Sequence, residues 1–393
     1  MSQVLGWALF DLANTFFAVA MVSFYFPLWI TKDLHAPEIW FSIALTLSTL
    51  VVAVALPFCG AVSDATGERM RFLRWTTYVC VIGTSLVALT SNLWLALLLF
   101  GVANIGYQLG AVFYDAMLWQ VAASGQLGHT SGLGASFGYV GSILGLVLLW
   151  PFVNWAGYRA TFIPSALLFV GFALPTFLTV RDPQPRRTLS WPQVARAASL
   201  RLAATIRSAR ALGGLWRFFC AAFFSLNAIN TILVFMAVYT SKVAGLSDQQ
   251  VIRFFVVGQV CAVIGSLTVS RLIPRLGAKQ TLGWIWVGWI VALTALVVRP
   301  SIQVLWIVGP VLGFCLGPTW ATSRVLLVQL SPKDQLAEML GLAGLFGKAS
   351  SMIGPLVWGL IVRDPSRYGL AVLVMIGFLI VGVVVLRGVP EGQ

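Results

Sequence analysis

Residues 132–145 read Gly-Leu-Gly-Ala-Ser-Phe-Gly-Tyr-Val-Gly-Ser-Ile-Leu-Gly, and residues 341–354 read Gly-Leu-Ala-Gly-Leu-Phe-Gly-Lys-Ala-Ser-Ser-Met-Ile-Gly. At an offset of 209 the two stretches share Gly132/Gly341, Leu133/Leu342, Phe137/Phe346, Gly138/Gly347, Ser142/Ser351 and Gly145/Gly354. Three further pairs follow in the same order at offsets between 207 and 216: Asp11–Thr15 with Asn227–Thr231, Gly106–Gly110 with Gly313–Gly317, and Gly67 with Gly277. A fixed order at a nearly fixed spacing is the signature of a duplicated half.

The duplicated unit belongs in a membrane. Apolar residues make up 59% of the chain and charged ones only 9%, and the apolar runs exceed the roughly 20 residues a span needs. Twelve runs qualify, from 4–30 through 72–90, the third, to 368–387. The expected fold is all-α, with twelve transmembrane helices in two pseudo-symmetric six-helix bundles: residues 1–180, a linker 181–214 and residues 215–393. Repeated halves in a membrane chain point to a transporter whose site lies where the halves meet.

An even number of spans leaves both termini on one side. Loops and ends on that side carry 17 Lys/Arg against 7 on the other, with Lys348 left inside a span, so the basic bias assigns the termini to the cytoplasm. The net charge of +13 is then a record of topology, and no nucleic-acid partner is expected. Arg196, Arg207 and Arg210 in the linker fall within about 60° of one another on a helix, either as a face lying on anionic lipid or as a solvated basic linker. The five cysteines lie in apolar runs without metal-ligand spacing, so neither a disulfide nor a metal site is expected. There is no phosphate-binding Gly-rich loop, and His35 and His129 stand in loops without partners, so no enzyme activity and no cofactor are expected.

Between the second and third spans the chain reads Gly60-Ala61-Val62-Ser63-Asp64-Ala65-Thr66-Gly67-Glu68-Arg69-Met70-Arg71. Its glycines permit a tight reversal, and Asp64 offers a charge to helix N-termini or arginines while Arg69 and Arg71 sit at headgroup level. This stretch resembles the cytoplasmic signature of the major facilitator superfamily. The resemblance implies that Asp64, Arg69 and Arg71 latch the halves and release them when the transporter opens inward. Four more segments, Gly6–Asn14, Val112–Ala116, Ser131–Tyr139 and Phe346–Ser350, resemble the vacuole-effluxer-like branch, whose eukaryotic members are linked to amino-acid export. That branch carries an acid followed by Gly in the seventh helix, where this chain has Asn227-Ala228.

Polar residues within the spans are the candidate site. Lys348 lies ten residues beyond Glu338, roughly 15 Å deep at 1.5 Å per residue, where a charge costs about 2.5–3.5 kcal/mol by insertion scales. It either receives an anionic group of the cargo or is a structural charge held by protein; its repeat counterpart is Tyr139. Asp11, roughly 10 Å from the cytoplasmic edge, shares a helix side with Asn14 and Thr15 and either contacts cargo, carries a coupling proton, or bonds a neighbouring helix. Asn104, Gln108 and Asp115 form a stripe within about 40°, read as a cavity wall, with Asp115 near the cytoplasmic end as a gate or coupling residue. Asn227, Asn230 and Thr231 on the seventh span and Thr319, Thr322 and Ser323 on the tenth are the matching patches. The glycines of the fifth and eleventh spans are read as close-packing residues.

These features lead to a monomeric secondary transporter in the plasma membrane, moving a small polar or zwitterionic solute by alternating access. A proton is the candidate coupling ion, and membrane lipids are the other partner. Export or flipping of an amphipathic drug or lysolipid is the alternative cargo. A non-transporting sensor is the alternative of another class.

Overall fold

The computed structural model describes residues 2–122, 127–182, 203–332 and 335–391, with the side chains of 60–66, 119, 127–129, 270, 337 and 365 outside that description. Two compact units emerge, Met1–Arg201 and Leu202–Gln393. Unit 1 contains α1 (Gln3–Phe17), α2 (Glu38–Thr66), α3 (Arg69–Val87), α4 (Leu93–Val121), α5 (Leu127–Ala156) and α6 (Phe162–Thr179). Unit 2 contains α7 (Gly213–Lys242), α8 (Asp248–Leu276), α9 (Ala278–Val298), α10 (Ile302–Leu330), α11 (Leu336–Ile361) and α12 (Tyr368–Arg387).

The duplication read from the sequence reappears as packing. In unit 1 the main pairings are α1 with α5 and α6, α3 with α4 and α6, and α2 with α4. In unit 2 they are α7 with α11 and α12, α9 with α10 and α12, and α8 with α10. Each pairing of the second set is its unit 1 counterpart moved six helices along the chain. Lipid offers no hydrophobic drive for helix association, so close approach and hydrogen bonds carry it.

Among the described residues, eleven helices are long and apolar enough to cross a membrane. The twelfth is α3, whose N-terminal turns carry Arg69, Arg71 and Arg74. The expected third span, 72–90, is therefore shifted: the helix starts at Arg69 and ends at Val87, because basic side chains at headgroup depth remain helical.

The first span departs from a plain α-helix. After Phe17 the backbone widens into π-turns at Ala18–Ser23 and again at Trp29–Asp33, with α-helical Tyr25–Leu28 between them. Pro27 cannot donate to the carbonyl four residues back, and its ring crowds that turn. Tyr25 instead donates its hydroxyl to the Leu146 carbonyl of α5 at 2.7 Å, which fixes the widened segment to its neighbour. Of the linker, Arg196 lies outside the described residues. Residues 203–211 are helical and tied to the start of α11, Thr205 donating to Glu338 at 3.0 Å and Ser208 to Gln335 at 2.6 Å.

Candidate functional site

Asp11 is half-buried on α1, with Thr15 one turn on donating its hydroxyl to the Asp11 backbone carbonyl at 2.7 Å. Its carboxylate stands over Gly138 of α5, where a Cβ would come within 2.9 Å of Asp11 Oδ2. Glycine here is a seat for a carboxylate. The same strip of α5 meets α1 repeatedly: a Cβ at Gly134 would lie 2.8 Å from the Trp7 ring, and one at Gly141 would lie 2.6 Å from the Leu12 carbonyl. Trp7 donates its indole N–H to the Tyr114 carbonyl at 3.0 Å and stacks on the Tyr114 ring at 4.4 Å, which joins α4 to this seam. Asn14 is buried, and Tyr139, beside Gly138, is half-buried.

Asn104 and Gln108 are brought together with α2 and not with Asp115. Asn104 donates to Ser48 Oγ at 2.8 Å, and Gln108 donates to Thr49 Oγ1 at 2.9 Å. Both amides are buried, while Asp115 is exposed near the end of α4. The expected stripe thus divides: its first two members bond α2 to α4. The reason is that helical angle fixes a face but not its occupant, and here α2 covers that face. Ser48 and Thr49 are the partners the sequence reading missed; two adjacent hydroxyls in the apolar run of the second span were the available signal.

In unit 2, Asn230 donates to Ser351 Oγ at 2.9 Å, and Asn227 Oδ1 accepts the Gly354 backbone N–H at 2.8 Å. Thr231 donates to the Asn227 carbonyl at 2.6 Å, and Thr319 bonds the Cys315 carbonyl of its own helix at 2.7 Å. Lys348 is half-exposed, one turn from Ser351 on the same face of α11. Along that helix a Cβ at Gly341, Gly344 or Gly347 would meet nothing within 4 Å. The expected close packing of glycines therefore holds on α5 from Gly134 to Gly145 but not at Gly132, and on α11 it holds at Gly354, whose Cβ would meet Thr231 and Asn227. On α10 the buried hydroxyls of Thr322 and Ser323 have no hydrogen-bond partner among the described residues.

The basic cluster at the start of α3 makes bonds within unit 1. Arg69 donates to the Ala116 carbonyl at 2.8 Å, and Arg71 pairs with Glu68 at 3.0 Å. The side chain of Asp64 lies outside the described residues. A different acid, Asp182, accepts the Met70 backbone N–H at 2.8 Å and so caps the first turn of α3. Arg74 reciprocates from α3, donating to the Phe177 carbonyl in the last turn of α6. Burial raises the Asp182 carboxyl above the usual Asp range, and the backbone bonds from Met70 and Arg71 oppose that rise. Arg74 and Asp182 are members of this cluster that the motif reading missed, since Asp182 is more than a hundred residues away in sequence.

The arrangement is helical, membrane-embedded and duplicated, with polar groups set into otherwise apolar seams. The description "Vacuole effluxer Atg22 like" belongs to the family whose pattern matches residues 40–392. The chain is 26% identical over 409 residues to the MFS-type transporter YxiO of Bacillus subtilis (strain 168), covering 98% of this chain and 94% of the relative. In fold it is similar to a variant of the nucleoside transporter NupG, with a TM-score of 0.75, 13% identity and coverage of 99% of this chain and 100% of that one. It is also similar to a bacterial homologue of the human lysosomal transporter Spinster in an inward-facing form, with a TM-score of 0.69, 14% identity and coverage of 98% and 96%. The relatives are transporters and not enzymes, and with nearly its whole length matched this chain belongs to the vacuole effluxer Atg22-like family of MFS-type membrane transporters.

Proposed function

We propose that the chain moves a small polar or zwitterionic solute of the amino-acid class across the plasma membrane by alternating access, with both termini in the cytoplasm. The observation that carries this reading is Lys348, a cation in the middle of a span on the open glycine face of α11. An ammonium at that depth is stabilised by an anionic group, and a carboxylate on the cargo supplies one. Asp11, seated on Gly138 of unit 1, holds a proton when the driving force is a pH gradient. The orphan hydroxyls of Thr322 and Ser323 supply further donors, since a buried hydroxyl without a partner is costly until one arrives.

A thermal-shift screen of the purified protein against amino acids, peptides, nucleosides and lipids identifies the cargo class, because a ligand that binds only the folded state raises its melting temperature. The ligand found is then tested for flux in proteoliposomes. Uptake of an amino acid by the wild-type chain and its loss in Lys348→Ala are the expected results. Equal flux in the two, or stabilisation by nucleosides or lipids alone, overturns the reading.

A further inference from the structure

Where α3 leaves the loop and α6 ends, the bonds from Met70 to Asp182 and from Arg74 to the Phe177 carbonyl border a cavity of about 620 Å³ whose lining includes Arg71, Arg74, Trp75, Tyr78, Arg181 and Asp182, together with Phe177 and Leu178. Arg71, Arg74, Trp75 and Tyr78 are exposed, and Arg181 is exposed at the mouth. The single carboxylate in the lining, Asp182, is already engaged by the Met70 N–H. Glu68 reaches Arg71 from the surface, where the arginine side chain is 67% exposed and the glutamate 39%, so it screens that arginine only weakly. The cavity mouth is therefore net cationic, with aromatic rings beside the guanidinium groups.

Two apolar stripes run from this mouth into the membrane. On α3 they continue as Ile82 and Leu86, at helical spacing from Trp75 and Tyr78, and on α6 as Leu178, Leu174 and Leu167, all exposed. Gly171, in step with the α6 stripe, has nothing within 4 Å of where a Cβ would sit, which leaves the path open. A cationic mouth edged by Trp and Tyr above two exposed apolar stripes matches one amphiphile: an anionic headgroup with its acyl chain below. A free phosphate shares the headgroup chemistry but has no use for the stripes.

We propose that this cleft between α3 and α6 is a binding site for an anionic phospholipid, held through its headgroup phosphate by Arg71 and Arg181, and that an occupied cleft reinforces the joint between the two helices. The site is remote in sequence from Lys348 and independent of the cargo reading. It is tested by native mass spectrometry of the delipidated, purified full chain titrated with phosphatidylglycerol, phosphatidylcholine or inorganic phosphate. Wild-type protein should retain one phosphatidylglycerol in preference to phosphatidylcholine. Since a basic side chain at an anionic membrane surface is worth about five-fold in affinity, the double change Arg71→Gln with Arg181→Gln should weaken phosphatidylglycerol about twenty-five-fold, and the Lys versions should keep most of it. Leu174→Gln with Leu178→Gln, which leaves the arginines in place, should also weaken the lipid. Unchanged phosphatidylglycerol affinity in both double variants, equal retention of phosphatidylcholine, or displacement by inorganic phosphate at equal concentration each overturns the assignment.

Discussion

Segments 132–145 and 341–354 carry nearly the same glycine pattern, yet they are used differently. On α5, Gly134, Gly138 and Gly141 each meet a side chain or carbonyl of α1 closely enough that a methyl group would collide. On α11, a Cβ at Gly341, Gly344 or Gly347 would meet nothing within 4 Å, and α7 is met through Phe346, Ser351, Gly354 and Trp358. A second pairing diverges as well. In unit 1, α2 and α4 are joined by side-chain bonds from Asn104 and Gln108, whereas in unit 2, α8 and α10 approach through backbone, with Gly313 against Gly258 and Gly317 against Ala262. Membrane helices have two ways to hold together, polar bonds and small residues, and each half has adopted a different mixture. The open stretch of α11 carries the half-exposed cation Lys348.

Loss of that cation should give the largest effect. Lys348→Ala should lower transport by about 10- to 100-fold, the worth of a charge-assisted hydrogen bond of roughly 1.5–3 kcal/mol, while Lys348→Arg retains part of it; proteoliposome flux at matched expression reads both. Packing comes next. Gly141→Ala places a methyl 2.6 Å from the Leu12 carbonyl and should destabilise by about 1–3 kcal/mol, seen as a lower melting temperature in detergent. Gly344→Ala, with open space around it, should leave melting unchanged or raise it slightly. Equal losses at the two positions would erase the contrast between the halves.

Asp11→Asn separates coupling from binding. It should abolish accumulation driven by an imposed pH gradient while sparing counterflow exchange of labelled cargo; continued accumulation makes Asp11 a structural partner of Gly138. Gln108→Leu should cost about 0.6–1.7 kcal/mol, the measured range for interhelical side-chain bonds in membranes, and leave the affinity for cargo intact. A cargo affinity that falls with Gln108→Leu would return that residue to the transport pathway.

The smallest effect is electrostatic. Burial raises the Asp182 carboxyl above its unfolded value, so the folded state binds that proton more tightly and this group's contribution to stability declines as pH rises through its folded-state value. From the ordinary Asp value upward to the raised folded-state value, the wild type should lose a little more stability on alkalinisation than Asp182→Asn, measured as melting temperature against pH. Identical slopes would show that the cap on α3 works without a titrating group.

Sequence alone determined the membrane setting, the duplication and the helices, because hydrophobic runs, repeated motifs and charge bias are local properties read residue by residue. It also identified Asp11, Asn230 and Lys348 as groups whose burial needs a reason. What α-helical periodicity could not supply was the neighbour. Helical angle put Asn104, Gln108 and Asp115 on one side, but only the position of α2 decided that two of them bond Ser48 and Thr49 while the third stays exposed. Likewise a shared glycine pattern permits close approach without requiring it, so the tight seam along α5 and the open face of α11 had to come from the tertiary structure. The cap that Asp182 places on α3 joins residues 112 apart in sequence, and a hydrogen bond is specified by where two groups meet in space, which sequence spacing at that range does not encode.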